Sequence, residues 1–200
     1  MALDSYANLK TAIGTWTGRA DSSDFADDCI DLFEAWANRN LRVRQMQEEA
    51  TASSAERLEL PSDFLEMRNL QFDGSTRREL SYVTPEYADT YDSTGTAGTP
   101  RFYTVINDEI RIVPSPSESG TVRMSYYESI PALSGSQTTN WLLTAYPDCY
   151  LYGCLMHASA YVQDDGRVEA IKAAFSQIVS EIQRTGRRSE YGGSLAIRAA

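Results

Sequence analysis

Asn140-Trp141-Leu142-Leu143-Thr144-Ala145-Tyr146-Pro147-Asp148-Cys149-Tyr150-Leu151-Tyr152-Gly153-Cys154-Leu155, with its continuation to Thr185, decides the fold. Pro147 suits a first helical position, because its φ is already helical and its missing N–H is one a helix start leaves unpaired. From there Tyr150, Leu151, Cys154, Leu155, Ala158, Tyr161 and Val162 recur at helical spacing. After Asp164-Asp165-Gly166, the residues Ile171, Ala174, Phe175, Ile178 and Ile182 do the same up to Gly186, which the pattern places just past the helix end. The pattern is a hairpin of two helices. The first helix carries a second stripe, Cys149, Gly153, Met156 and Ala160, roughly opposite the first, so it lies between two neighbours. The second neighbour is either a helix of the same chain or another subunit.

Upstream, Tyr6, Leu9, Ile13 and Trp16 predict a short amphipathic helix capped by Asp4 or Ser5 and ending near Gly18. A longer helix starts at Ser22-Ser23-Asp24, with Phe25, Cys29, Ile30, Phe33, Trp36, Ala37 and Leu41 on one wide face, and is expected to reach about Glu49. Aspartates crowd its start and Arg39, Arg42 and Arg44 lie near its end, as the helix dipole favours. Asn40 falls in the apolar sector, which predicts a hydrogen bond from its amide to backbone or a neighbour.

From Arg57 the period changes to that of strands: Leu58 to Leu60, then Phe64 to Phe72, closed by Asp73-Gly74-Ser75, then Leu80 to Val83. Thr84-Pro85-Glu86 reads as a cap, a helix-starting proline and an acidic first turn. Asp92 to Pro100, with Thr94, Gly95 and Gly98, holds no large apolar residue and reads as a mobile loop. A hairpin over Phe102–Val113 and a strand over Val122–Tyr126 complete a small antiparallel sheet. The fold class is therefore α+β, a helical bundle of the long helix and the C-terminal hairpin, with an inserted antiparallel β domain and an extended C-terminal tail. The expected divisions are 1–52 for the N-terminal helices, 53–130 for the β domain, 131–186 for the hairpin and 187–200 for a flexible basic tail.

The formal net charge of −10 argues against a protein that holds nucleic acid by neutralising phosphates. From Arg184 onward, however, four arginines stand against one glutamate, so an acidic body ends in a basic segment. No apolar run approaches the roughly 18 residues of a membrane span, and Met1-Ala2-Leu3-Asp4 lacks the basic start of a signal peptide, so no membrane is expected. Cys149 and Cys154 point about 140° apart on one helix and cannot bridge each other, which with an odd total of three predicts free thiols.

Catalytic chemistry finds little footing. His157 is the only histidine; with Cys154 one turn away it supplies two ligands, too few for a closed zinc site, and no Ser-His-Asp set can be assembled. Cys154 lies mid-stripe, a packing position and not that of an activated nucleophile. Asp27-Asp28, Asp89 with Asp92, and Asp164-Asp165 are the carboxylate pairs a small acidic hydrolase or ligand-binding domain would use, each with a plainer role as cap, first-turn charge or loop. Phosphate-binding glycine loops are absent. No catalytic residue, metal or cofactor is expected.

Several segments together resemble a known family: Tyr6-x-x-Leu9-x-x-x-Ile13-x-x-Trp16-x-x-Arg19-x-Asp21; Asn40-Leu41-Arg42-Val43-Arg44-Gln45-Met46; Leu60-Pro61-Ser62-Asp63-Phe64-Leu65-Glu66; Tyr126-Tyr127-x-x-Ile130-Pro131-x-Leu133; and Asn140-Trp141-Leu142-Leu143 before Pro147-Asp148-x-Tyr150-Leu151-Tyr152-Gly153. This order resembles the head-to-tail adaptor, or connector, proteins of short-tailed bacteriophages, over about Tyr6 to Val162. The resemblance implies a structural protein made in the host cytoplasm and carried in the virion, a homo-oligomeric ring of about twelve copies beneath the portal. It implies as partners the portal protein and a tail nozzle or tube protein, with DNA passing through unbound. It implies a C-terminal extension docking on the portal, here Arg184, Arg187, Arg188, Tyr191, Leu195, Ile197 and Arg198. Subunit contacts would fall on Cys149, Gly153, Met156, Ala160, Arg39, Arg42 and Arg44, and the loop with Asp92, Thr94, Gly95 and Gly98 would face the tail.

Overall fold

A computed structural model describes residues 3–18, 23–162 and 165–190. Among them the helices are α1 (Tyr6–Thr17), α2 (Ser23–Asn40), α3 (Pro85–Tyr91), α4 (Trp141–Ala145), α5 (Pro147–Val162) and α6 (Asp165–Glu190). The strands are β1 (Gln47–Ser53), β2 (Arg57–Glu59), β3 (Phe64–Asp73), β4 (Arg77–Tyr82), β5 (Phe102–Ile106), β6 (Glu109–Val113) and β7 (Thr121–Glu128). The fold is mixed α+β, and the chain divides into two units, Met1–Met46 with Ile130–Ala200, and Gln47–Ser129.

In the helical unit, α1 begins on Ser5, whose Oγ accepts from the Asn8 N–H at 3.4 Å, and ends on Gly18 at φ +70°, which closes the last turn on Gly14 and Thr15. A left-handed cap of this kind favours a residue without Cβ. Helix α5 packs against α1, α2 and α6. Phe33 of α2 sits at the centre of an aromatic cluster, 4.7 Å from the Tyr150 ring and 6.1 Å from Phe175. Trp36 completes it, 4.8 Å from Phe175. Such offset and edge-to-face pairs add about 0.5–1.5 kcal/mol each beyond the area they bury.

Two helix boundaries differ from the sequence expectation. Helix α2 stops at Asn40, not near Glu49, because Arg42 turns back and donates through Nη1 to the carbonyls of Asn38 (2.7 Å) and Leu41 (2.6 Å), closing the C-terminus. Asn40 is exposed rather than buried, and its amide donates to the Trp36 carbonyl at 2.8 Å. At the other end, α6 runs through Gly186 to Glu190. Gly186 is not a helix stop; it is buried against Val43, whose Cγ1 would lie 3.1 Å from an added Cβ. The single-turn α4, capped by Asn140 through its Oδ1, was hidden in a stretch too short to show a period.

The sheet unit has the strand order β1-β7-β3-β4-β5-β6-β2. Gln47–Ser53, rich in the helix formers Gln, Glu and Ala, is a strand because it pairs residue for residue with β7, from Gln47↔Tyr127 to Ser53↔Thr121. Tertiary pairing overrides a weak local preference. The sheet is also not wholly antiparallel: β4 and β5 run parallel, since α3 lies between them and carries the chain across. Helix α3 starts as expected, with Thr84 Oγ1 accepting from Tyr87 N–H and Pro85 at its first position. The β5–β6 hairpin turns on Asn107-Asp108, with Asn107 at φ +54°. Leu70, Phe72, Ile110, Ile112, Val122 and Met124 are buried on one face as this unit's core.

Candidate functional site

The residues singled out as subunit contacts divide sharply. Cys149 and Gly153 are buried inside the helical unit, and Gly153 lies against α2 of the same chain: a Cβ on it would stand 2.2 Å from Phe33 Cδ2. The second apolar stripe of α5 is thus satisfied within the chain at these two positions, and neither has surface to offer another copy. Met156 is half-buried, and the side chain of Ala160 lies outside the described residues. Arg39 and Arg44 are exposed, whereas Arg42 is occupied in closing α2.

Of the proposed docking tail, Arg184, Arg187 and Arg188 are exposed positions on α6, helical rather than part of a flexible tail. Tyr191, Leu195, Ile197 and Arg198 lie outside the described residues. In the loop, Asp92 is the C-cap of α3, its side chain 8% exposed and 3.8 Å from Arg111 Nη2. Thr94 Oγ1 accepts from Thr96 Oγ1 at 3.1 Å, and Gly95 takes φ +61°. Gly98 is fixed to the segment after β6, donating to the Ser115 carbonyl at 2.8 Å and accepting from Ser117 N–H at 3.0 Å. The loop is therefore stapled at both ends, by Asp92 and by Gly98.

In two of the three carboxylate pairs, cations hold Asp27, Asp89 and Asp92. Burial works against the charge on Asp27, but Lys10 at 2.7 Å and the Tyr6 hydroxyl at 2.5 Å hold its carboxyl below the usual range. Asp89 and Asp92 both face Arg111, which reaches from β6 under α3 and bonds Asp89 directly. Asp164 lies outside the described residues, as does the side chain of Asp165. Burial raises the thiols, Cys29 to about 11, Cys149 to about 12 and Cys154 well above its ordinary value, so all three stay protonated and unreactive at neutral pH. His157 is lowered by burial and by Arg39, and no group of three or more metal-ligating side chains gathers among the described residues.

Arg111 anchors α3 to the sheet, with only 16% of its side chain exposed. Arg111→Met should release that anchor and leave Asp92 buried beside no cation. A loss of about 1–3 kcal/mol is expected for a buried charged group deprived of its partner, together with faster proteolytic cleavage between residues 84 and 100. Unchanged cleavage would show that aromatic packing holds α3 alone.

Other features escaped the sequence reading. Tyr87 and Tyr91, one turn apart on α3 and both exposed, pack edge-on against Phe102 at 5.7 and 5.0 Å. Trp16 is 51% exposed and stands edge-on to Tyr152 at 6.0 Å, at a cavity of about 390 Å³ between α1, α5 and α6. Within the helical unit, the Glu34 carboxylate accepts from Leu133 N–H (2.9 Å) and the Tyr150 hydroxyl (3.0 Å), and Tyr150 in turn accepts from Asn140. Exposed aromatic rings could have been sought as an i, i+4 Tyr pair in α3; a lone buried glutamate leaves no such mark.

Asp27, Asp89 and Asp92 are thus held by cations, and exposed aromatic rings stand on α1 and α3. Residues 4–198 fit the family model of the SU10 adaptor protein, and the chain belongs to that family. It is a phage adaptor. A comparison with curated proteins finds no match. Among the described residues no helix is long and apolar enough to cross a membrane.

Proposed function

We propose that the chain is a structural, non-catalytic head-to-tail adaptor of the virion, forming a ring that joins the portal to the tail and lines the DNA exit channel. The family match over residues 4–198 carries this reading. In it, the helical unit supplies the ring wall, the sheet unit with its stapled loop faces the tail nozzle or tube, and the segment from Arg184 docks on the portal. Charge supports the arrangement. An acidic body repels DNA phosphates and lets the duplex slide past, while a basic C-terminal end seeks an acidic groove on its partner.

The direct test is electron microscopy of the protein mixed with its own portal, with a symmetric collar on the vertex as the expected image and unattached protein as the contrary one. A sharper version removes residues 191–200. Because α6 extends to Glu190 and Gly186 packs on Val43, that cut spares the described helices. The truncated chain should keep its circular dichroism and melting temperature and lose portal attachment at least tenfold. Retained attachment would strip the docking role from the last ten residues.

A further inference from the structure

We propose that a single water molecule is bound beneath α3, held by Arg111 Nε, the Thr104 hydroxyl and the Asp92 carboxylate, and that it completes the joint between α3 and the sheet. The inference concerns the sheet unit alone and stands or falls independently of the ring. Thr104 and Arg111 are direct cross-strand partners in β5 and β6, so their side chains share one face of the sheet. Tyr103, Ile110 and Ile112 belong to the core on the other face. Thr104 and Arg111 therefore point toward α3, which packs on β5 and whose Asp89 Arg111 bonds.

Three polar groups converge there with their bonding incomplete. Thr104 is fully buried, and its Oγ1 has no hydrogen-bond partner among the described residues. Buried Arg111 Nε has none either. Folded proteins pair the large majority of their buried polar atoms, so two orphans on one cross-strand pair call for a shared partner. The third group is Asp92, whose side chain is 8% exposed and whose Oδ2 stands 3.8 Å from Arg111 Nη2. That is too long for a hydrogen bond. A polar contact of this length, between groups that solvent barely reaches, is the kind a bridging water closes.

The chemistry of the three groups selects water over an ion. A guanidinium only donates, a carboxylate only accepts, and a hydroxyl does either. The ligand must therefore accept from Arg111 and donate to Asp92. An anion would meet the carboxylates of Asp89 and Asp92, and a cation would meet the Arg111 guanidinium. A neutral molecule that donates and accepts suits all three groups, and about three partners is the usual number for a buried water. Through it α3 is joined to β5 by Thr104 as well as to β6 by Arg111, so lifting the helix breaks both connections.

The test begins with Thr104→Val in the full-length chain, a change that deletes the hydroxyl, keeps the branched shape and suits a strand. A buried hydroxyl without a partner is a burden, and deleting it should leave the folding constant unchanged or raise it. With the water in place, the deletion breaks a bond and strands Arg111 Nε, so the folding constant should fall about tenfold in denaturant melts. An unchanged or raised constant overturns the proposal. A fall would also follow if the hydroxyl bonded a protein atom directly, and a crystal structure of the full-length chain separates the two. A solvent peak within about 3.2 Å of Thr104 Oγ1, Arg111 Nε and Asp92 Oδ2 is expected, and it should vanish in Thr104→Val. Thr104 Oγ1 bonded straight to a protein atom, with no solvent peak between it and Arg111, overturns the proposal whatever the melts give.

Discussion

Gly153→Ala should destabilise the helical unit by about 3 kcal/mol, at the upper end of what overpacking a filled core costs. An ordinary mid-helix glycine replaced by alanine would gain up to about 1 kcal/mol in helix preference. Here that gain is outweighed, because the new Cβ would stand 2.2 Å from Phe33 Cδ2 and 2.4 Å from Cε2. The ring has nowhere to go: Tyr150, Trp36 and Phe175 surround it at 4.7, 6.3 and 6.1 Å. Either α2 and α5 separate or the aromatic cluster is rebuilt. Gly153→Leu should prevent folding of the unit altogether. The diagnostic variant is Gly153→Ala with Phe33→Leu, which removes the obstructing ring. Its stability should exceed the value obtained by adding the two single losses, since residues in contact do not behave independently. Strict additivity in denaturant melts would mean that the two helices do not approach at Gly153.

That contact also answers the question the sequence left open at the second stripe of α5. A run of Cys149, Gly153, Met156 and Ala160 states that something packs there, but periodicity does not name the partner. Phe33 does, and it lies far away in the chain. Local punctuation, by contrast, was legible: Ser5 and Gly18 bound α1, Thr84-Pro85 starts α3, and Asn107-Asp108 turns the β5–β6 hairpin. Each of these is fixed by a cap or a turn whose chemistry involves neighbours within a few residues. The failures share the opposite cause. Gln47–Ser53 is a strand because β7 lies beside it, Gly186 stays helical because Val43 covers it, and β4 runs parallel to β5 because α3 intervenes. Exposure was the least legible property, since Trp16 continues the apolar face of α1 in the sequence and only the folded unit shows it half-exposed.

Glu34 should be the other position of large effect, and its signature is a pH dependence. It is 5% exposed, and burial raises its carboxyl pKa above 4.5, its ordinary value, against the opposing pull of the Leu133 N–H and the Tyr150 hydroxyl, while Asp31 pushes it further up. An acid whose folded pKa is raised contributes stability that is fully present below its unfolded pKa and is lost as pH rises through the folded value. Glu34 thus opposes folding progressively above pH 4.5, even as its two hydrogen bonds tie the return segment at Leu133 and the helix α5 at Tyr150 to α2. Glu34→Ala should cost about 3–5 kcal/mol, because two buried donors lose their acceptor at roughly 1–3 kcal/mol each and a cavity remains. Glu34→Gln keeps an acceptor oxygen for both donors and cannot ionise, so it should cost far less. The stability difference between the Glu34→Gln variant and the wild type should move in favour of the variant as pH rises from 4.5 toward neutrality. Taking the difference cancels the paired carboxylates such as Asp27, whose lowered pKa works in the other direction, its contribution being lost as pH falls. Parallel curves for wild type and Glu34→Gln across that range would mean that Glu34 titrates as it does in the unfolded chain, and that the Glu34–Tyr150–Asn140 chain of bonds is open to water.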